Sequence, residues 1–264
     1  MDRLALLGVG AAAASALMLV LWLVQARIRD ASHVDVGWTY GLGLLAVLYA
    51  ALGEGETSHR VLVGVLAGIW SLRLGTYLLV DRVLGKPEDG RYVALRARWA
   101  TRANRRFFVF FQAQAALDVA FSLPFLLAAY NRHEGLEPLE WAGVAVWGAG
   151  VLGESLADFQ LSRWRANPAN RGRTCRAGLW RLSRHPNYFF EWTVWVGYAT
   201  IADAAPWGWI GWIAPALLLF LLFRVTGIPA AEAQALRSRG DDYRRYQAET
   251  SVFLPWPPRR ARAA

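Results

Sequence analysis

The sequence predicts an all-α membrane protein: a seven-transmembrane-helix bundle with its N-terminus outside and its C-terminus in the cytoplasm. Three observations predict it. Apolar types make up 55% of the 264 residues and charged types 19%, with 14 Trp and 12 Phe. Soluble domains average roughly 45–50% apolar even with Gly counted. Seven windows stay apolar over close to the ~20 residues that cross a hydrocarbon core. The basic residues then fall almost entirely on one side of those windows.

In chain order the windows are 4–24, 36–52, 61–80, 107–129, 139–161, 188–201 and 207–223. The first carries no charge, and it lacks a signal peptide's basic leading region and a clear small-residue cleavage site, so it reads as a retained span and not a signal peptide. The sixth is the shortest, and polar groups crowd its beginning. A tight turn at 203–206 separates it from the seventh. Alternating spans place 26–35, 82–106, 162–187 and everything from Arg224 onward on one side. Those segments hold 2, 8, 7 and 8 basic residues, 25 of the 29 in the chain. The other side receives Arg3, Arg60 and Arg132 with seven acids, and Arg73 stays inside the third span. Arg and Lys resist translocation, so the rich side is cytoplasmic. A wrong span count would scatter the arginines.

The same numbers exclude other classes. A mean hydropathy of +0.23 rules out a disordered chain and an ordinary cytosolic enzyme. A net charge of +9 on so apolar a chain points to a membrane, not to nucleic acid. The single cysteine, Cys175, excludes an internal disulfide and a multi-cysteine metal site, and no metal is expected. Gly8-Val-Gly10 begins like a dinucleotide fingerprint but has no strand before it, so it reads as helix packing, as does the Gly64/Gly68 pair. No repeat or soluble domain interrupts the chain, so residues 1–264 read as one monomeric domain. The excess of Ala, Gly and Arg over Lys fits a GC-rich bacterial genome and hence the inner membrane.

Ionisable groups inside spans cost several kcal/mol unless they face protein, water or ligand. Here they are numerous: Arg73 and Asp81, then Gln112, Gln114 and Asp118, then Glu154 and Asp158, Glu191, and Arg224. Asp35, Trp38 and Tyr40 sit where the second span begins. Glu154 and Asp158 share a helix face that Ser162 and Arg165 continue, and Asn187/Glu191 and Gln114/Asp118 have the same spacing. Taken singly, each is equally well explained by inter-helix bonds. Together they predict a polar cavity open to the cytoplasm. Beside it, seven arginines lie within the 22 residues 163–184, which hold no acid. Lipid attraction accounts for part of this excess. The planar guanidinium also binds phosphate bidentately, as a nucleotide cofactor would require.

The most specific segment is Gly178-Leu-Trp-Arg-Leu-Ser-Arg-His-Pro-Asn-Tyr-Phe-Phe-Glu-Trp192. With Glu154-Ser-Leu-Ala-Asp158 through Arg165, Lys86-Pro-Glu-Asp-Gly-Arg91-Tyr92, Arg224-Val-Thr-Gly-Ile-Pro-Ala-Ala-Glu232 and Tyr243-Arg-Arg-Tyr246, it resembles the steroid 5α-reductase family, in particular its bacterial branch. The likeness is specific from about residue 153 onward. It implies seven membrane helices and NADPH-dependent reduction of a carbon–carbon double bond conjugated to a ketone, in a steroid or similar lipid. It also implies a cofactor site built mainly from 150–264 with the loop 82–106, using Arg91, Tyr92, Glu154, Asp158, Arg165, Arg173, His185, Asn187, Tyr188, Glu191, Arg224, Glu232, Tyr243 and Tyr246. Glu154 stands where the family has Asn, and Glu232 where the animal enzymes have Tyr. Hydride addition to the β-carbon places negative charge on the carbonyl oxygen, so a donor is needed there. Asp35 is the first candidate, with Tyr40 or Tyr77 next, and Trp38, Arg73, Gln112 and Asp118 are expected to line the substrate pocket. Arg184-His-Pro-Asn-Tyr188 is also similar to isoprenylcysteine carboxyl methyltransferases, which bind S-adenosylmethionine. Phe190 and Ala231 depart from their pattern. A lipid-binding protein without chemistry is the remaining alternative.

Overall fold

In a computed structural model, residues 1–225 and 227–259 are described; Thr226, Arg260 and Arg262 of the motifs and charge counts lie outside them. The regular elements among the described residues are helices, and an isolated parallel bridge joins Ser183 to Ser251. The helices are α1 Arg3–Ile28, α2 His33–Leu52, α3 Thr57–Leu78, α4 Gly90–Trp99, α5 Ala103–Phe121 and α6 Leu123–Ala128, followed by α7 Pro138–Ala166, α8 Pro186–Ala202, α9 Ile213–Arg224, α10 Ile228–Arg239 and α11 Asp241–Glu249.

Each start and stop has a local cause. Asp2 caps α1 by accepting from the Ala5 amide at 2.8 Å, and Glu56 caps α3 through the Ser58 amide at 2.7 Å. A side-chain oxygen there satisfies one of the amides that a helix N-terminus leaves unpaired. Helix α1 ends on Arg29 in the left-handed region, φ 57°. At its far end α3 widens into a π turn at Leu79–Val83. The fourth window, expected as one span over 107–129, is a jointed element. It follows α4 and a turn at Ala100 with φ 45°, and it breaks at Ser122, because Pro124 lacks an amide for the helical ladder.

Five helical stretches are long and apolar enough to cross a membrane: Arg3–Ile28, His33–Leu52, Thr57–Val83, Gly90–Ala128 and Gly208–Arg239. The chain therefore has the character of an integral membrane protein. Helix α7 runs for 29 residues but carries Glu140, Glu154, Asp158, Arg163 and Arg165. Helix α8 has only 17 residues.

The chain forms two compact units, Met1–Glu140 with Ile201–Ala214, and Trp141–Thr200 with Pro215–Ala264. In the first, α2 lies along α3, and α1 packs on α2 and α5. Its core is aromatic, with Tyr49, Trp70, Phe107, Phe111, Phe121 and Phe125 fully buried. Gly10 packs against the Tyr49 ring and Gly64 against Ala50, whereas Gly8 and Gly68 face open space. The packing expected of both glycine pairs thus holds at one member of each. In the second unit, α7 and α8 touch backbone to backbone. A Cβ on Gly197 would lie 2.7 Å from the Trp147 amide nitrogen, and one on Gly150 would lie 2.7 Å from that of Val194.

Candidate functional site

The first unit carries an ionic cluster where α2 begins. Asp35, in the first turn of α2, accepts at Oδ1 from the Tyr92 hydroxyl at 2.7 Å. At Oδ2 it accepts from Arg91 Nη2 at 2.7 Å and Arg82 Nη1 at 3.1 Å. The loop before α4 makes this possible. Asp89 caps α4 through the Arg91 amide and also binds the Arg91 guanidinium. Its own amide donates to Ser32 Oγ at 2.8 Å, and Glu88 accepts from the Ala31 amide at 2.9 Å and from Arg96 at 2.7 Å. Burial would raise the Asp89 carboxyl, but hydrogen bonds from Arg91 outweigh it and hold it below the usual range.

Sequence reasoning offers Asp35 first, and Tyr40 or Tyr77 next, as the donor. The structure instead brings Asp35 to Tyr92, a residue expected only at the cofactor. Asp35 is an acceptor of three hydrogen bonds, and the phenolic proton belongs to Tyr92, which is 3% exposed. Tyr40 bonds Thr76 Oγ1 at 3.2 Å, and Tyr77 lies 5.9 Å beneath the Arg73 guanidinium. The expected pocket residues are dispersed over the same unit. Gln112 is held by the Ser15 hydroxyl at 2.7 Å. Trp38 packs edge-on to Trp70 and Phe121. Asp118 is fully buried beside Gly41 and Leu17, and neither carboxyl oxygen has a hydrogen-bond partner among the described residues.

The second unit is organised by Glu232 of α10. Its Oε1 accepts from Arg184 Nε at 2.7 Å and faces His185 Nε2 at 3.3 Å and the Tyr243 hydroxyl at 3.5 Å. Its Oε2 accepts from Gln247 at 2.8 Å. Arg184 also donates to the carbonyls of Gln247 and Thr250, and the His185 ring stacks on Tyr188 at 5.3 Å. Tyr246 donates to the carbonyls of Trp180 and Ser183. Trp180 in turn donates to the Ala157 carbonyl of α7 at 2.9 Å. Burial first, then the Glu232 charge, pushes the Tyr243 phenol up to about 12. The polar groups of Glu232, Tyr243 and Tyr246, expected at the cofactor, are thus engaged in fastening the Arg184–Tyr188 segment to α10 and α11.

The seven loop arginines separate into two kinds. Arg184 and Arg176 are anchors, Arg176 pairing with Asp242 at 3.2 Å and Glu249 at 3.0 Å. Arg163, Arg165, Arg171, Arg173 and Arg181 are exposed and make no ion pair with any described acid. Arg165 has company that the sequence does not reveal. Burial raises the Cys175 thiol, and Arg165 and Arg239 both draw it back. Arg165 and Arg239 also act on one another, with Asp242 offsetting part of the Arg239 charge, so the two guanidiniums make the potential around Cys175 positive. Arg239 rests over the Tyr243 ring at 5.1 Å; it is the candidate anion contact that sequence reasoning missed. Arg224 is exposed and Asn187 half-buried, while Glu154 and Asp158 are buried in α7 at 4% and 5% exposure. Glu191 accepts from the Trp195 indole at 2.8 Å.

Acid should loosen this arrangement at two carboxylates, Glu232 and Asp242. Burial would raise the Glu232 carboxyl, but the His185 hydrogen bond and Arg184 hold it down to about 2. Burial would raise the Asp242 carboxyl, but the Thr174 hydrogen bonds and then Arg176 and Arg245 hold it below its usual value. A carboxylate depressed in the folded state stabilises above its unfolded pKa, near 3.9, and loses that contribution as pH falls through the folded value. Asp242→Asn is therefore expected to flatten the pH dependence of stability below about pH 4 while changing little of its slope above pH 5. Urea titrations across that range would show it, and an unchanged acid limb would refute the assignment.

The family model described as "Protein of unknown function (DUF1295)" matches residues 21–250. That family falls within the steroid 5α-reductase-like superfamily. An uncharacterized protein of Schizosaccharomyces pombe is 24% identical over 265 residues, covering 89% of this chain and 76% of the relative. No solved structure matches. With the family model spanning most of its length, the chain belongs to the DUF1295 family.

Proposed function

We propose that this protein is an NADPH-dependent membrane oxidoreductase that reduces the double bond of an enone in a steroid or similar lipid. On this reading α7 and α8 cross the membrane with the five apolar stretches, giving seven spans with the C-terminus in the cytoplasm of a bacterium. The observation that carries the reading is the sorting of the loop arginines. Five guanidiniums exposed without an acid partner, beside two spent on anchoring, supply the bidentate donors that a phosphate-bearing cofactor requires.

Bound NADPH would supply the hydride. The residues of the chain would do the rest. Arg165 and Arg173, with Arg239, hold the phosphates, and Asp158 and Asn187 orient the remainder of the cofactor. Tyr92 gives its hydroxyl proton to the carbonyl oxygen as negative charge develops there. Asp35 is the acceptor that keeps the phenol in place between turnovers. Arg91 and Arg82 balance the Asp35 charge.

Purified protein is expected to bind NADPH and to consume it when given a Δ4-3-keto steroid. Arg165→Ala and Arg173→Ala should each weaken NADPH by about tenfold or more, the worth of one charged hydrogen bond. Asp158→Ala should do likewise. Tight binding of S-adenosylmethionine instead would turn the Arg184–Tyr188 segment toward the methyltransferase reading. Affinity for neither cofactor would leave only lipid binding.

A further inference from the structure

We infer that the turn joining α4 to α5 is a binding surface for anionic phospholipid headgroups. Eight basic residues occupy 82–106, and the structure divides them. Arg82 and Arg91 turn into Asp35, Arg96 pairs with Glu88 at 2.7 Å, and Lys86 is exposed in the loop before α4. Arg98, Arg102, Arg105 and Arg106 are exposed and pair with no described acid. The chain carries no acid at all between Asp89 and Asp118.

Four like charges so close together repel one another, and Arg105 and Arg106 lie in the first turn of α5, where the helix dipole disfavours cations. The cluster is concentrated by the fold itself. Ala100, at φ 45°, stops α4 and redirects the chain into α5, so Arg98 and Arg102 flank one bend. External negative charge is what relieves the repulsion.

The bend also sits where charge meets lipid-facing surface. Phe108 and Val109, one turn further along α5, are exposed, as are Leu23, Val24 and Ile28 at the end of α1. Two tryptophans mark the boundary. Trp22 of α1 donates its indole N–H to the Asn104 carbonyl at 3.0 Å and packs edge-on to Phe108. Trp99 packs on Phe107 with ring centres 4.9 Å apart. Indoles prefer the headgroup level, and the basic bend is bonded to that level through Asn104. Charge complementarity therefore selects a headgroup phosphate as the occupant. A basic residue near an anionic bilayer surface gains about fivefold in binding.

The test reconstitutes the full chain into vesicles of mixed phosphatidylcholine and phosphatidylglycerol and counts the lipids retained per chain after brief detergent extraction. Phosphatidylglycerol is expected to be enriched over phosphatidylcholine, with the enrichment screened by high salt. The variant R98Q/R102Q/R105Q/R106Q should lose it by at least about fivefold, one charge's worth, while its thermal midpoint in neutral detergent stays near the parent's. Equal enrichment in parent and variant would overturn the inference. So would stabilisation of the parent in detergent by inorganic pyrophosphate that the variant loses, since that outcome assigns the bend to a soluble phosphate. Neither readout uses NADPH or turnover, so this surface and the proposed reductase activity stand or fall separately.

Discussion

Replacing Glu232 by Ala is expected to cost about 3 kcal/mol of stability, the low end for removing one partner of a buried ion pair. The low end applies because the Glu232 and Arg184 side chains keep 16% and 12% of their surface exposed. The physical cause is what stays behind. Arg184 would retain its bonds to two carbonyls but lose its only carboxylate, and His185, Tyr243 and Gln247 would each lose an acceptor. Glu232→Gln keeps one acceptor oxygen but turns an amide toward Gln247, so about half the loss is expected, consistent with one or two hydrogen bonds. The double variant Arg184→Ala/Glu232→Ala should cost less than the two single losses added together, because removing both charges leaves neither stranded. Denaturant titration of the purified chain measures all three. A loss below about 1 kcal/mol in Glu232→Ala, the size of a surface pair, would show that the hub does not hold the unit together.

This hub marks the limit of what the sequence discloses. Windows of apolar residues locate helices because lipid and core both demand continuous apolar surface, so a helix forms at each of the seven windows. The windows misjudge helix ends, because ends are fixed by polar residues that a hydropathy average discards. Helix α7 continues past residue 161 to Ala166 through Arg163 and Arg165, and the fourth element is jointed at Ser122. The same blindness applies to the site. Arg176 and Arg184 look identical in sequence to Arg165 and Arg173, and only acids 48 to 73 residues further along distinguish them. Glu232 is legible as a site residue from its resemblance, but its saturation by Arg184 and its neighbours is a property of packing. Asp35 is legible as a carboxyl at a span boundary. Its partner is not, because the loop that returns Tyr92 to it lies 57 residues away and leaves no periodic signal.

That pairing sets the second large effect. Tyr92→Phe should lower turnover of an enone about a hundredfold, the smaller end of what a positioned proton donor contributes, while leaving NADPH affinity unchanged. The fold should tolerate it. Phe keeps the ring that packs edge-on to Phe110 and under Arg91, and Asp35 keeps Arg82 and Arg91, so the expected cost is about 1 kcal/mol for one hydrogen bond. Asp35→Asn separates the two roles. If Asp35 itself gave the proton, Asn would abolish turnover as fully as Tyr92→Phe. If Asp35 positions the phenol, Asn can still accept from Tyr92, so turnover should fall less. Tyr40→Phe, which removes only the bond to Thr76, should leave turnover within about threefold, the scale of a net hydrogen bond. Full activity in Tyr92→Phe with a hundredfold loss in Asp35→Asn would return the proton to the carboxyl and reverse the assignment.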